Sequence, residues 1–143
     1  VQGKTDAHFH AHIRSDPAEV ANLRRTFERF VASHDFDTES ADQIGLVINE
    51  ALANIIRHAY KGRTDQPIAI KAGVDDKGIW IELRDWGNGV VPRVIDEREK
   101  DPRTPGGLGL PCMKKMTTAL DFIPQPDGMI LKLFRARGKQ KNG

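Results

Sequence analysis

Glu50, Asn54 and His58 recur at every fourth residue of a stretch that reads as helix. At about 3.6 residues per turn they share one stripe of the helix surface. Beside them Ile44, Val47, Ile48, Ala51, Leu52 and Ile55 form an apolar face. A carboxylate, an amide and an imidazole along that edge are not what core packing needs, and a solvated helix face is the competing reading. Asn competes with the backbone for hydrogen bonds and forms helix poorly, so its place here suggests a ligand. Two glycine-rich segments follow. Arg84-Asp85-Trp86-Gly87-Asn88-Gly89 leaves the end of an apolar run, where an Asp can accept from an exocyclic amine and glycines let a ligand approach the main chain. An ordinary β-turn explains the same residues taken singly. Gly106-Gly107-Leu108-Gly109-Leu110 leads into a helix, where backbone N–H groups could meet phosphate oxygens. A lone pair of glycines proves little; the three segments in this order say more.

The elements that must position these residues follow from periodicity. His8 to Ile13 alternates as a half-buried strand, Phe9, Ala11 and Ile13 on one side and His8, His10 and His12 on the other. Three histidines on one face could bind a metal, but without carboxylate or cysteine company a solvated or partner-paired face is the better reading. Asp16-Pro17 caps and starts a helix through about Ser33, with Val20, Leu23, Phe27, Phe30 and Val31 inward. A second helix opens at Glu39–Ala41 and runs to about Tyr60, stopped by Gly62. Ile68–Val74 and Ile79–Leu83 form a hairpin around Asp75–Gly78. Residues from Val90 to Pro105 carry mixed charge without periodicity, which predicts a mobile loop. Leu110 to about Thr118 is a short helix, and Leu120–Ile123 with Met129–Arg135 a second hairpin turned at Pro124–Gly128. The expected fold class is α/β: a two-layer sandwich with helices on one face of a mostly antiparallel sheet.

At 143 residues the chain fits a single domain, 1–143, with a core of about 15–137 and a flexible basic tail at 138–143. Apolar residues at 38% and charged residues at 29% exclude a disordered composition, and a formal charge of +2 gives no case for nucleic acid. Arg135, Arg137, Lys139 and Lys141 read as a solvated C-terminal cluster. One cysteine, Cys112, excludes an internal disulfide and multi-cysteine metal sites. No apolar run approaches the roughly 18–20 residues of a membrane span, and the expectation is a cytoplasmic protein.

The helix from Asn49 to Tyr60 resembles the N-box of the GHKL ATPases, whose ATP-binding fold is the Bergerat type and which include gyrase, Hsp90, histidine kinases and mismatch-repair ATPases. Asp85-Trp86-Gly87-Asn88-Gly89 resembles their first glycine box and Gly107-Leu108-Gly109-Leu110 their second. The form Glu-x-x-x-Asn-x-x-x-His-Ala-Tyr is most similar to the anti-sigma-factor serine-protein kinases. The resemblance implies ATP and Mg²⁺ as ligands. Asn54 would bind Mg²⁺, Asp85 would read the adenine amine, and Gly87 and Gly89 would shape the base pocket. Gly107, Leu108, Gly109 and Leu110 would wrap the phosphates, Glu50 would be the general base, and Val90–Pro105 the lid. His58 and Tyr60 fit the subfamily pattern, with packing the preferred role. Two departures stand out: Met129 occupies a place where many relatives carry a Thr near the adenine aspartate, and Pro111 directly follows the phosphate loop.

The implied function is an ATP-dependent protein-serine kinase that phosphorylates a small anti-sigma-antagonist-like protein and binds a sigma factor, as a homodimer, with no direct nucleic-acid or membrane contact. The alternative is a nucleotide-dependent binding module of the same fold that transfers no phosphate. Glu50 favours the kinase, since a pure binder needs Asn54 and Asp85 but no base. The ATP domain of a histidine kinase is a weaker third reading, because no helical hairpin with an acceptor histidine is apparent.

Overall fold

Alternation in the first strand and capping in the first helix set the order of everything that follows. The computed structural model describes residues 7–87 and 109–137, and at 109 and 110 the backbone only. Strand β1 (Ala7–Arg14) is followed by helices α1 (Pro17–Ala32) and α2 (Thr38–Asn54) and a π-helical turn (Ile55–Ala59). Strands β2 (Pro67–Val74) and β3 (Gly78–Asp85), helix α3 (Gly109–Lys115) and strands β4 (Ala119–Gln125) and β5 (Gly128–Ala136) complete the chain. The strands form one antiparallel sheet in the order β1-β2-β3-β5-β4, with β1 and β4 at its edges. The expected α/β two-layer sandwich is therefore present. Its sheet begins before residue 15, since all of β1 pairs with β2, from Ala7 opposite Val74 to Arg14 opposite Pro67.

Asp16 caps α1 by accepting from the N–H groups of Ala18 at 2.8 Å and Glu19 at 3.3 Å, with Pro17 in the first helical position. Asp37 caps α2 through Ser40 N–H at 3.1 Å. Each cap stabilises by about 1 kcal/mol, whereas each fully buried Leu, Ile or Phe contributes about 1.5–3 kcal/mol. Packing therefore holds the helices. Phe27 and Val31 of α1 and Ile44, Ile48 and Leu52 of α2 are all but inaccessible, against Ile68, Ile70, Ile79, Ile81 and Leu83 of the sheet.

The other face of the sheet carries no helix among the described residues. The period of two sends His8, His10 and His12 there, all exposed, as the alternation predicted. Trp80 also lies on this face. Its indole covers Gly73, where a Cβ would come within 2.4 Å of the ring, and meets His8 edge-on at 6.3 Å. No group of His, Cys, Asp or Glu among the described residues is arranged to hold a metal ion, and no described helix is long and apolar enough to cross a membrane.

Several boundaries differ from expectation. The second helix is α-helical only to Asn54 and then widens into the π turn, closed by Tyr60 N–H to Ile55 C=O at 2.9 Å. The third helix ends at Lys115. The second hairpin turns at Pro126-Asp127 rather than over Pro124–Gly128, leaving Pro124 inside β4. An edge strand tolerates a proline because its missing N–H lies on the unpaired side.

The basic cluster at the C-terminus requires a correction. Arg135 and Arg137 are anchored rather than solvated. Arg135, on β5, donates to Gln43 Oε1 at 2.6 Å, Met116 C=O at 2.8 Å and Ser40 Oγ at 3.0 Å. Arg137 reaches Asp75 C=O at 3.3 Å and Asp35 C=O at 3.2 Å and stacks over Phe36. Carbonyls left over at turns and helix ends attract guanidinium donors. Lys139, Lys141 and the tail expected at 138–143 lie outside the described residues.

Candidate functional site

A cleft opens on the helix-covered side of the sheet, between the end of α2 with its π turn and strands β3 and β5. Its walls are apolar: Ile55, Leu83, Met113, Phe122, Met129 and Leu131. Three polar side chains line it, Asn54, His58 and Asp85. An apolar slot with a few convergent polar groups is the ordinary form of a small-molecule site.

Asp85 closes β3 and is buried, 4% exposed. Burial pushes its carboxyl above the ordinary aspartate range, opposed by the Gly87 N–H and the nearby Arg84 charge. One oxygen accepts from Gly87 N–H at 2.9 Å, a local Asx-type turn. Gly87 is required here, because a Cβ would meet Ala59 of the π turn at 2.7 Å. Met129 stands directly opposite Asp85 in the β3–β5 ladder. The departure noted in the sequence thus lies beside the carboxylate, where a thioether replaces a hydroxyl. Gly128, at φ +156°, lets β5 pass the Asp85 carbonyl, which a Cβ would approach to 2.0 Å.

Asn54 is the last residue of α2. Its amide oxygen is buried and has no hydrogen-bond partner among the described residues. An orphaned buried acceptor costs about 1–3 kcal/mol unless something fills it. A hard divalent cation that takes oxygen ligands, few of them from protein, suits this position. The donor set therefore fits Mg²⁺ held by one amide oxygen with the remaining ligands from phosphate and water. His58 stands at the rim, exposed, and its partial desolvation and the neighbouring Arg57 hold its imidazole below the ordinary value. Glu50 is buried one turn before Asn54, 4% exposed, and is not among the side chains lining the cleft. The π turn widens the helix after Asn54, so the straight stripe expected for Glu50, Asn54 and His58 breaks at its last member.

Of the phosphate-side residues, Gly109 and Leu110 open α3. Gly89, Gly107, Leu108 and the expected lid Val90–Pro105 lie outside the described residues. Pro111 falls in the first turn of α3, where a missing N–H costs nothing. Two contributors escaped the reading of the sequence, and a third was read as packing alone. Met113 is fully buried at the cleft wall, Phe122 comes from an edge strand, and Tyr60 sits behind Asp85 with its hydroxyl bonded to Trp86 N–H. The run Leu120–Ile123 placed Phe122 in a strand, and nothing local marked its place in a cleft.

Comparison with known proteins agrees with this geometry. Residues 13–134 match the family model of the histidine kinase-like ATPase domain. The chain is 30% identical to the anti-sigma F factor of Bacillus velezensis over 125 residues, covering 82% of this chain and 84% of that one. It is 27% identical to the anti-sigma F factor of Halalkalibacterium halodurans over 108 residues, 72% of this chain and 73% of that one. It is 24% identical to the serine-protein kinase RsbW of Bacillus subtilis over 115 residues, 73% and 70% of the two chains. Among solved structures, the RsbU and RsbW domains of a Mycobacterium tuberculosis protein superpose with a TM-score of 0.67 at 15% identity. That match covers 92% of this chain but 32% of the other, so the chain spans about a third of that protein's length. A histidine kinase domain from Erythrobacter litoralis gives 0.53 at 17% identity, covering 82% of this chain and 59% of that one, and both likenesses speak to fold alone. With cleft, motifs and relatives in agreement, the chain belongs to the histidine kinase-like ATPase domain family, in its anti-sigma-factor serine-protein kinase branch.

Proposed function

We propose that this chain is an Mg-ATP-dependent protein-serine kinase that phosphorylates a small antagonist protein and sequesters a sigma factor. The observation that carries the nucleotide site is the buried, unpartnered amide oxygen of Asn54, in a cleft that also presents the buried carboxylate of Asp85. Relatives named anti-sigma F factor and serine-protein kinase support the substrate class and the sigma partner. In this reading Asn54 holds Mg²⁺, Asp85 accepts from the adenine amine, and Met113, Met129 and Leu131 enclose the base. The backbone from Gly107 to Leu110 receives the phosphates, and Gly89 completes the base pocket. Bound Mg²⁺ supplies charge neutralisation on the phosphate oxygens.

Glu50 is the group that makes this a kinase rather than a nucleotide-gated binder. Its carboxylate would orient the acceptor serine hydroxyl and take its proton as the serine oxygen bonds to the γ-phosphorus and ADP departs. A homodimer is part of the proposal: β1 is an edge strand, and its unpaired backbone groups offer a second copy a place to add.

The test is single-turnover transfer from radiolabelled Mg-ATP to candidate anti-sigma-antagonist-like proteins. Wild type should label a serine. Glu50→Gln should bind Mg-ATP at least as well while transfer falls by about 10²–10⁴-fold, the range of a positioned general base. Wild-type transfer in that variant would remove Glu50 from the role. Nucleotide-dependent antagonist binding with no labelling in either protein would replace the kinase with the binding module.

A further inference from the structure

The last paired residues of the β2–β3 ladder are Ile68 and Asp85. One step further along, Pro67 and Trp86 would form the next rung, yet they do not meet. Trp86 N–H donates instead to the Tyr60 hydroxyl at 2.7 Å, and that hydroxyl donates to Pro67 C=O. Donor and acceptor thus meet at one oxygen. We infer that Tyr60 is a positioning residue: its hydroxyl takes the place of the next rung, ends β3 at Asp85, and so fixes the carboxylate that selects the base. The inference rests on the proposed role of Asp85 as reader of the adenine amine.

The chemistry of the neighbours explains why a hydroxyl can stand there. Pro67 has no N–H, so a direct rung would carry one hydrogen bond where the hydrogen-bonded rungs, every second pair of the ladder, carry two. A phenol that donates one way and accepts the other satisfies both backbone groups and holds the strands one oxygen apart. Tyr60 itself is 3% exposed, so this hydroxyl is buried with both its partners in place. A residue needed only to fill the core would be Phe.

Once the ladder is interrupted, the chain turns at once. Gly87 N–H folds back onto Asp85 Oδ1, and Gly87 packs against Ala59, the residue before Tyr60. The two N–H groups after Asp85 are thus both engaged, one by Tyr60 and one by Asp85 itself. The second carboxylate oxygen is then the one that can meet an amine in the cleft. Ala59 and Tyr60 belong to the segment that begins at Asn54, so the metal side and the base side of the site are held by one short stretch of chain.

Calorimetry with Mg-ATP and Mg-ITP, which carries a carbonyl where adenine has its amine, tests the inference on wild type, Tyr60→Phe and Asp85→Asn. Wild type should prefer ATP, and Asp85→Asn should lose that preference. Tyr60→Phe should reduce the ATP:ITP affinity ratio by about three- to tenfold, the worth of one well-placed hydrogen bond. A ratio is insensitive to the fraction of molecules folded, so general destabilisation cannot produce the change. If Asp85→Asn abolishes the preference and Tyr60→Phe preserves it, the positioning role is overturned while the base reading stands. If Asp85→Asn keeps the preference, the base reading falls and the inference with it. Should Tyr60→Phe not fold, hydrogen exchange in wild type decides: the Trp86 amide should be protected, and exchange at the rate of an open amide would overturn the rung.

Discussion

Arg84 and Asp85 are adjacent in sequence and live on opposite faces of the sheet. Arg84 projects from the helix-free face, where it pairs with Asp127 at 2.6 Å and lies 4.7 Å over the Trp86 ring. Two strands share that pattern nearby, Glu82 with Lys132 at 3.8 Å. Asp85 faces the helices, among apolar walls, with only the Gly87 N–H and the Arg84 charge to oppose its desolvation. Even the unpartnered atoms differ. Arg84 Nη1 belongs to a guanidinium whose face is already shared with an aromatic ring, whereas Asn54 Oδ1 has no hydrogen-bond partner among the described residues. On one face charges answer each other; on the other, a buried polar atom has no hydrogen-bond partner among the described residues. A buried polar group left short of partners is a cost to folding, and its persistence points to a ligand.

The sharpest way to break this contrast is substitution on the cleft side. Asp85→Asn and Asn54→Ala should each weaken Mg-ATP binding by about 10–100-fold, the worth of one charged hydrogen bond or metal ligand. Asn54→Ala should also remove the dependence on Mg²⁺. Neither should lower the stability of the nucleotide-free protein, because one removes a buried charge and the other a buried unpartnered acceptor; urea unfolding beside calorimetry measures both. A loss of stability without a loss of binding would reverse the assignment of the two faces.

Acidity gives a middle-sized effect with a definite sign. The folded protein holds the Asp85 proton more tightly than the unfolded chain, whose aspartate titrates near 3.8. Between that value and the raised one, the folded state carries more protons, so stability falls as pH rises. ATP affinity runs the other way, since the amine needs the ionised carboxylate, and should drop on acidification above the pH expected of an ordinary aspartate. Titrating affinity and stability over the acid range checks both slopes, and Asp85→Asn should flatten them.

On the open face the expectation is small. Arg84→Met removes an ion pair whose Asp127 partner is 63% exposed, together with the cation–π contact, and should cost little stability. Removing that cation should also move the Asp85 titration further up, since Arg84 now holds it down. An ATP affinity at neutral pH as damaged as that of Asp85→Asn would mean the two faces are not separate.

Much of this was legible in the sequence because it is local. Asp16-Pro17 announced a helix start, alternation in residues 8–13 sorted histidines from the core, and Met129 was marked as a departure near the aspartate it proves to face. What stayed hidden depends on distance along the chain or on one extra residue in a turn. Arg135 looked like part of a terminal charge cluster because its partners, Ser40 and Gln43, lie more than ninety residues earlier. The π turn differs from α-helix by one hydrogen-bond step, which apolar spacing through Ile55 and Ile56 does not record. The hydroxyl of Tyr60 finds its partners only when β2 and β3 are side by side.

The chain holds two tryptophans, one in the turn after Asp85 and one in the middle of the sheet. Trp86 is the residue between Asp85 and Gly87, 37% exposed, with a guanidinium over its ring. Trp80 lies flat over Gly73 on the open face, beside His8. The molecule therefore comes with two intrinsic fluorophores already placed. Replacing either one with Phe leaves an emission spectrum that speaks for a single place, one for the turn that follows Asp85 and the other for what covers the sheet.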